Sequence, residues 1–320
     1  MPVEILIRLT ALGDVLLAVP TARALAQNGA EVHWVLSSKW AEISPFLPAT
    51  RVHTLNGISD LPFLSRRLRA LKPIKTYDLQ GKVISNLLAL FLGAPSKYYS
   101  KRSLRESFRI ALGRYPLECS PNPVWKRYLN TIGNPDQLPD ARLTIPENYL
   151  AYCKKWLSES IPYRPENLVL FHPGASKPGK VLPPEACQKI IPSQNFPVAL
   201  IGDKVIPISF SPTVDLRGKI PLSILPGFMA LSRGVISTDS GPMHLARAMD
   251  CRLVGIFVQA HPNFGFSPIP SSKTKIISGN LSCQPCSPHG ERSACPKGDW
   301  ECRNLNWKAI SEDIKDFLNQ

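Results

Sequence analysis

The fold of this chain is decided by Val235-Ile-Ser-Thr-Asp-Ser-Gly-Pro-Met-His-Leu-Ala-Arg-Ala-Met249, which Arg252-Leu-Val-Gly-Ile-Phe257 follows closely. The pattern predicts a strand, a tight turn, a helix and a further strand. The β-branched residues Val235 and Ile236 are typical of a buried strand. Pro242 suits the first turn of a helix, where its missing N–H would have no helical partner anyway. This stretch therefore indicates an α/β unit with a parallel sheet.

The start of the predicted helix has the features of a phosphate site. Free N–H groups and the positive end of the helix dipole meet there, and a glycine lets a ligand approach the backbone closely. A histidine in the first turn adds a further hydrogen-bond donor. The candidate ligand-binding residues are Asp239, Ser240, Gly241 and His244. The same turn would also serve as the cap of an ordinary α/β helix, and spacing alone does not separate the two interpretations.

The N-terminus predicts a second unit of the same kind. Val3 to Leu9 is predicted as a strand, Val15 to Gln27 as a helix and Glu31 to Leu36 as the next strand. The turn lacks the pattern G-x-G-x-x-G, so a dinucleotide cofactor is not indicated. Asp14 lies at the carboxyl end of the first strand, the edge where open α/β sheets bind ligands. It is a candidate functional carboxylate, although it could also only cap the helix.

Another series of strands begins in the second half of the chain. Asn167 to Phe171 predicts a strand, and the loop after it carries Lys177 and Lys180, at a position where a phosphate site belongs. Val198 to Ile201 predicts a further strand, followed by Asp203, a candidate partner for a ribose hydroxyl. Two series of alternating strands and helices indicate an α/β protein with two Rossmann-like domains and a cleft between them.

Chain length agrees with two domains, because 320 residues exceed what a single hydrophobic core usually serves. Prolines and polar residues between 160 and 166 mark an expected linker. We therefore expect a first domain at 1–160, a second at 166–306 and a final helix at 307–320. The start Met-Pro-Val-Glu and the short apolar runs predict neither a signal peptide nor a membrane span, so the expected location is cytoplasmic.

The chain is strongly basic, with a formal net charge of +14. Residues 1–160 contain 21 Lys and Arg against 12 Asp and Glu, so most of the excess lies in the first half. It is concentrated from Arg66 to Lys75 and from Lys97 to Arg114. Such clusters suit an anionic membrane surface, a phosphorylated glycolipid or a nucleic acid, or are only a solvated helix face. Two clusters in the same half favour an anionic partner.

Four of the eight cysteines are gathered near the C-terminus, at Cys283, Cys286, Cys295 and Cys302. In a chain without a predicted export signal, this clustering favours a thiolate metal site over disulfides. Four thiolates suit zinc or iron, and such a site would be structural because it leaves no open coordination position. The spacing is also compatible with four reduced thiols in a loop.

Thr238-Asp-Ser-Gly-Pro-Met-His-Leu-Ala246 resembles the signature of glycosyltransferase family nine, the lipopolysaccharide heptosyltransferases. Further segments resemble motifs of the same family in the same order, at Arg8 to Pro20, at Tyr77 to Gly81 and at His172 to Pro183. Leu182 stands where that family usually has tryptophan. The resemblance covers most of the chain. It implies the GT-B architecture, two Rossmann-like domains with a central cleft, in which the last helix packs back on the first domain.

The resemblance also implies a role for each motif. Asp14 is the implied general base, and Lys180, with Lys177 as a second candidate, is the implied contact to the donor phosphates. The residues expected to bind the donor are Lys177, Lys180, Asp203, Asp239, Ser240, Gly241 and His244. Those expected to bind the acceptor are Arg8, Gln80, Lys101, Arg102 and Arg105.

The implied reaction is an inverting transfer of heptose from ADP-L-glycero-D-manno-heptose to the lipopolysaccharide inner core, either Kdo-lipid A or a core heptose. The sequence contains no D-x-D motif, so no catalytic metal is expected. Some related protein heptosyltransferases bind iron through such a cysteine cluster, which makes a structural zinc or iron ion the expected metal. The expected location is the inner face of the inner membrane, with no nucleic-acid partner.

The motifs leave two alternatives open. A family member that uses another nucleotide sugar or a protein acceptor would carry the same motifs. A basic nucleic-acid-binding protein with a metal ribbon at the clustered cysteines is the alternative of a different class, and it would bind duplexes in a strongly salt-dependent way.

Overall fold

The protein is described by a computed structural model that covers residues 1–100, 108, 123–133, 135, 137–202, 214–287 and 289–320. The described residues form two compact units, one from those within 1–101 and 122–144 and the other mainly from those within 145–320. The predicted ligand residues Lys101, Arg102, Arg105 and Asp203 lie outside the described residues, as does most of the basic cluster from 97 to 114.

The first unit contains a five-stranded sheet in the order β3-β2-β1-β4-β5, in which every described pairing is parallel. Its strands are β1 (Val3–Ile7), β2 (Glu31–Ser37), β3 (Arg51–Leu55), β4 (Lys75–Asp78) and β5 (Ser96–Tyr98). Its helices are α1 (Leu12–Leu17), α2 (Val19–Gln27), α3 (Leu61–Arg69), α4 (Val83–Leu92) and α5 (Val124–Thr131). The strand order reverses direction at β1, so the loops after β1 and β4 meet at the edge where ligands bind.

Apolar spacing explains how the helices of this unit pack. Leu61, Leu64 and Leu68 of α3 share a hydrophobic core with Leu88 and Leu92 of α4 and with the buried strand residues. The single helix predicted from 15 to 27 is instead two helices that meet at residue 18. The division has a local cause, since a proline at position 20 has no N–H to continue the hydrogen bonds of the first helix.

The second unit contains a six-stranded sheet in the order β11-β10-β9-β6-β7-β8, again parallel at every described pairing. Its strands are β6 (Val169–His172), β7 (Val198–Leu200), β8 (Val214–Asp215), β9 (Gly234–Thr238), β10 (Leu253–Phe257) and β11 (Thr274–Ser278). Its helices are α6 (Glu147–Ser160), α7 (Pro184–Ser193), α8 (Leu225–Leu231), α9 (Gly241–Ala248) and α10 (Trp307–Asn319). The quoted stretch is thus β9-α9-β10, as its pattern predicts.

The division between the units differs from the expected linker at 160–166, because it falls between Thr144 and Ile145. Helix α6 therefore belongs to the second unit rather than to the end of the first. The Tyr149 hydroxyl donates to the Ser223 carbonyl oxygen at 3.1 Å. Cys153 lies so close to Gly227 that a Cβ there would be 2.5 Å from the cysteine sulfur. These contacts attach α6 to α8 and the segment before it.

The final helix also differs from expectation, which had it packing back on the first domain. The buried face of α10, with Trp307, Ile314 and Leu318, lies in the hydrophobic core of the second unit beside Ile190 of α7. The helix is strongly amphipathic, and α7 offers it an apolar face within the same unit. Among the described residues, no helix is both long and apolar enough to cross a membrane.

Candidate active site

Asp14 lies in the first turn of α1, directly after the carboxyl end of β1. One carboxylate oxygen lies 2.7 Å from an Arg8 guanidinium nitrogen. The other accepts a hydrogen bond of 3.3 Å from the hydroxyl of Tyr128 on α5. The Arg8 side chain is only 6% exposed, whereas that of Asp14 is 20% exposed. The pair therefore presents its carboxylate, and not its cation, to the outside of the unit.

Arg8 and Tyr128 are both buried, and their side chains are in contact with each other. Arg8 donates to the Leu79 carbonyl oxygen at 2.5 Å, and its guanidinium carbon lies 5.4 Å from the centre of the Tyr128 ring. Burial acts to lower the pKa of Arg8, but Tyr128 and Asp14 raise it more, so the pKa stays above its usual value. Burial raises the pKa of Tyr128 well above its usual value, so its hydroxyl keeps the proton that it donates to Asp14. These partners fix the orientation of the carboxylate.

Gln80 follows β4 and fastens the turn that carries Asp14. Its side-chain oxygen accepts from the backbone N–H groups of Leu9 and Thr10 at 3.0 and 3.1 Å. Its own backbone N–H donates at 2.7 Å to Asp78, whose other carboxylate oxygen accepts from Ser85 at 2.8 Å. Gln80 is almost completely buried. The geometry supports a role for Gln80 in positioning the Asp14 turn. The sequence analysis predicts only that this residue binds the acceptor.

Lys180 and Asp239 form the corresponding pair in the second unit. Lys180 ends a 3₁₀ turn, Pro178–Lys180, in the loop after β6, and Asp239 directly follows β9. The lysine ammonium nitrogen lies 2.6 Å from a carboxylate oxygen of Asp239. Here the cation is the more exposed member, at 13% against 5% for the carboxylate. This unit therefore presents a positive charge at the edge of its sheet.

Ser240 and α9 complete the second cluster. Ser240 is the N-cap of α9, and its hydroxyl lies 3.1 Å from Nδ1 of His172 and 3.2 Å from the Ser237 hydroxyl oxygen. The serine side chain is thus directed at its neighbours rather than at the helix N–H groups. Gly241 is the first helical residue, and His244 is buried one turn further along. The structure brings Lys180, Asp239 and Ser240 to one edge, while Lys177 is exposed before the 3₁₀ turn.

A buried glutamine that the sequence analysis missed holds the Lys180 turn. Gly179 donates to the Gly290 carbonyl oxygen at 3.0 Å and accepts from the Gln259 backbone N–H at 3.2 Å. A Cβ at position 179 would lie 2.2 Å from the Gln259 side-chain oxygen, so the turn approaches the glutamine closely. That oxygen also accepts from Ser287 at 2.9 Å and from the Arg292 N–H at 3.2 Å. A polar residue soon after β10, at the carboxyl edge, was the signal that could have identified Gln259.

The position at which the resembled family usually has tryptophan is filled by a buried leucine. Leu182 is 3% exposed and lies in the core of the second unit with Phe171 and Ile256. The leucine therefore supports the loop from beneath, although it is smaller than tryptophan.

The four clustered cysteines are described as free thiols. All four line one small cavity of about 40 Å³ together with Gln259 and Trp300. Burial, with the neighbouring thiols, raises the pKa of Cys302 to about 11. Among the described residues, no group of three or more His, Cys, Asp or Glu side chains is arranged so that it could hold a metal ion. The cysteines share a cavity, but they do not form a ligating set in this arrangement.

Comparison with known proteins identifies the family. Residues 64–295 match the model of Glycosyltransferase family 9 (heptosyltransferase). The chain is 25% identical over 293 residues to lipopolysaccharide heptosyltransferase 1 of Campylobacter coli, covering 79% of this chain and 82% of that protein.

Solved structures show the same fold. One is the ADP-heptose lipopolysaccharide heptosyltransferase II of E. coli, with a TM-score of 0.71, 17% identity and coverage of 100% of this chain and 99% of that one. Another is the iron-containing dodecameric glycosyltransferase TibC from enterotoxigenic E. coli H10407, with a TM-score of 0.63, 16% identity and coverage of 99% and 76%. The resemblance and the GT-B type of fold expected from the sequence are confirmed. With two parallel α/β units and a family match over more than half of its length, the chain belongs to glycosyltransferase family 9, the heptosyltransferases, and is an enzyme.

Proposed function

We propose that the enzyme transfers heptose, with inversion, from ADP-L-glycero-D-manno-heptose to the lipopolysaccharide inner core, at Kdo-lipid A or a core heptose. The observation that carries this proposal is the opposite orientation of the two charged pairs. The first unit presents the carboxylate Asp14, and the second presents the ammonium of Lys180. A sugar transfer from a nucleotide diphosphate needs a base for the acceptor and a cation for the leaving group.

Asp14 acts as the general base in this proposal. Its carboxylate is partly exposed and oriented by Arg8 and Tyr128, so one lone pair can accept the proton of an acceptor hydroxyl. The acceptor oxygen then forms the new bond to the anomeric carbon while the bond to the diphosphate breaks. Gln80 keeps the Asp14 turn in place through the N–H groups that it accepts.

The second unit stabilises the leaving diphosphate. Lys180 supplies positive charge, and the N-terminus of α9, at Ser240 and Gly241, supplies backbone N–H groups and the positive dipole end. Negative charge grows on the diphosphate as the sugar leaves, so both contacts strengthen in the transition state. His244 in the first turn of α9 and the exposed Lys177 are further proposed contacts of the donor.

Location and metal content extend the proposal. A lipid-linked acceptor and a net charge of +14 support a peripheral position on the inner face of the inner membrane. The shared cavity of Cys283, Cys286, Cys295 and Cys302 supports one structural zinc or iron ion, for which the four sulfurs would have to close in.

Metal analysis tests the second extension. Protein purified without added metal should contain about one equivalent of zinc or iron, and chelation should lower its Tm. Replacing Cys283 and Cys286 with serine should remove the metal, whereas Cys153→Ala, away from the cluster, should not. No bound metal, with the four thiols freely titratable in the folded protein, would exclude the site.

The transfer itself is tested with purified enzyme. Kdo-lipid A and a heptosylated core are incubated with ADP-heptose or with UDP- and GDP-sugars. The mass of the glycolipid product is then measured by mass spectrometry. We expect the heptose adduct from ADP-heptose alone. An adduct formed only from another nucleotide sugar would assign the enzyme to that branch of the family, and no adduct on either glycolipid would favour a protein acceptor.

A further inference from the structure

The outer face of α4 is exposed and largely apolar, with Asn86 as its one exposed polar residue. Its sequence, Val83–Leu92, contains no charged residue. Leu88 and Leu92 face the core, whereas Leu90 is 70% exposed and Phe91 is 42% exposed. A surface helix normally turns polar residues outward, so an outward apolar face indicates contact with a further apolar phase.

The neighbouring helix α3 continues this surface with positive charge. Phe63 is 74% exposed, and Arg66 and Arg69 are exposed beside it. A groove of about 680 Å³ runs between the helices, and its lining includes Arg66, Arg69, Leu90 and Phe91. Guanidinium groups and large apolar side chains therefore border the same groove. We call this surface, formed by Phe63, Arg66, Arg69, Leu90 and Phe91, the α3–α4 face.

The charge around the α3–α4 face is predominantly positive. Residues 60–100 contain seven Lys and Arg against two acidic residues, Asp60 at the start of α3 and Asp78. Asp78 is completely buried and accepts hydrogen bonds from Gln80, Gly81 and Ser85, so its carboxylate does not reach this surface. The occupant must therefore be anionic as well as apolar.

We propose that the α3–α4 face docks the enzyme on an anionic phospholipid bilayer. In this arrangement Phe63, Leu90 and Phe91 enter the boundary between headgroups and acyl chains, while Arg66 and Arg69 bind lipid phosphates. A nucleic acid would match the arginines but leave the exposed leucine without a partner. A second copy of this strongly basic chain would bring like charges together. The bilayer matches both properties at once.

This inference specifies the surface behind the proposed membrane location, and it does not depend on the identity of the sugar donor or acceptor. Its experiment is vesicle co-sedimentation without any substrate. Wild-type protein is mixed with vesicles of pure phosphatidylcholine or with vesicles that also contain phosphatidylglycerol. We expect binding to the anionic vesicles that weakens with added salt, and little binding to the neutral ones.

Two double variants separate the charged and apolar contributions. Arg66→Glu with Arg69→Glu should reduce the partition coefficient for anionic vesicles at least tenfold, because each basic residue near the surface adds to the attraction. Leu90→Ser with Phe91→Ser should reduce it about tenfold while keeping the salt dependence, because the arginines remain. The matched controls lie on α6, where Lys154→Glu with Lys155→Glu and Tyr152→Ser change equally exposed residues and should leave binding unaltered.

Folding and self-association are checked on the same samples. Each variant should keep the wild-type Tm, since the substituted side chains point away from the core. The proposal is overturned if the wild-type protein does not bind anionic vesicles, or if the α6 control variants lose as much binding as the α3–α4 face variants. It is equally overturned if Leu90→Ser with Phe91→Ser converts a wild-type dimer into monomers in sedimentation. Loss of heptosyl transfer with normal vesicle binding would instead contradict the proposed function alone.

Discussion

Each unit carries a largely buried ion pair, and the more exposed members of the two pairs have opposite charges. Each places a cation and a carboxylate in direct contact at the carboxyl edge of a parallel sheet, Arg8 with Asp14 at 2.7 Å and Lys180 with Asp239 at 2.6 Å. In the first unit the arginine is the more buried partner, and in the second the aspartate is. The inner partner compensates the charge of the outer one, so the outer group can be held rigidly at a partly buried position.

This difference shows that the fold alone does not assign chemistry to an edge. The two edges share parallel strands and a helix after the turn, and what distinguishes them is which member of the pair reaches solvent. A buried glutamine supports each pair, Gln80 beside the Asp14 turn and Gln259 beside the Lys180 turn. We therefore predict that substitutions at the charged pair of the first unit reduce catalysis, whereas substitutions at the charged pair of the second unit reduce donor binding.

Asp14→Asn should have the largest effect. Asparagine retains the shape of aspartate and an oxygen for the Ala11 N–H, but it has no charge to pair with Arg8 and cannot accept the acceptor's proton. General-base catalysis is worth about 10²–10⁴-fold, so kcat should fall by that order while ADP-heptose binding is retained. Steady-state kinetics and a donor thermal shift measure the two quantities. Near wild-type turnover would show that Asp14 only stabilises the start of the helix and is not the general base.

Lys180→Ala should come next and should act on the donor. Removing the outward ammonium leaves the diphosphate without one stabilising charge, so we expect a higher donor KM and a kcat about 10²-fold lower. Lys189→Ala on α7 is the matched control, because this lysine is exposed in the same unit and is not a proposed contact of the donor. Equal effects of both substitutions would mean that diffuse positive charge, rather than the Lys180 position, binds the donor.

The sequence predicts the outward members of the pairs but not the pairs themselves. Asp14 and Lys180 follow strand ends, which the edge rule for α/β sheets identifies without tertiary information. Tyr128 reaches Asp14 across 114 positions of sequence, and Gln259 reaches the Lys180 turn across 79 or 80, so no local pattern contains either contact. The helix 307–320 illustrates the same limit, because its amphipathic pattern shows that it packs but not on which unit.

Substitution of either buried glutamine should have a smaller effect, and the two variants together test whether the units have separate roles. Gln80→Ala leaves the backbone N–H groups of Leu9 and Thr10 without their acceptor. Gln259→Ala keeps the backbone hydrogen bond to Gly179 but removes the side-chain oxygen that accepts from Ser287 and from the Arg292 N–H beside the turn. An unsatisfied buried group costs about 1–3 kcal/mol, so each variant should lose a few degrees of Tm and about tenfold in activity. The loss should appear in kcat for Gln80→Ala and in donor KM for Gln259→Ala. The same kinetic signature in both variants would argue against separate roles for the units.

The smallest predicted effect is an acid sensitivity of the first unit. His53 on β3 lies 2.9 Å from His33 on β2, between their ring nitrogens, and the second nitrogen of His33 lies 3.0 Å from Glu31. Burial lowers the pKa of His53 from 6.5 to about 4, with further lowering by His33, Arg67 and Arg51. Glu31 is the acidic group that faces the pair, and it contacts His33 rather than His53.

Because the folded protein holds His53 neutral at a pKa below that of the unfolded chain, folding excludes a proton that the unfolded chain binds. This contribution to stability is present above pH 6.5 and is lost as the pH falls towards 4. His53→Gln keeps a polar side chain at this position but cannot titrate. Its Tm should therefore fall less than that of wild type between pH 6.5 and 4, by roughly 2–4 °C if the linkage is worth about 1 kcal/mol. If the Tm values of the two proteins fall in parallel over this range, the histidine pair does not set the acid response of the first unit.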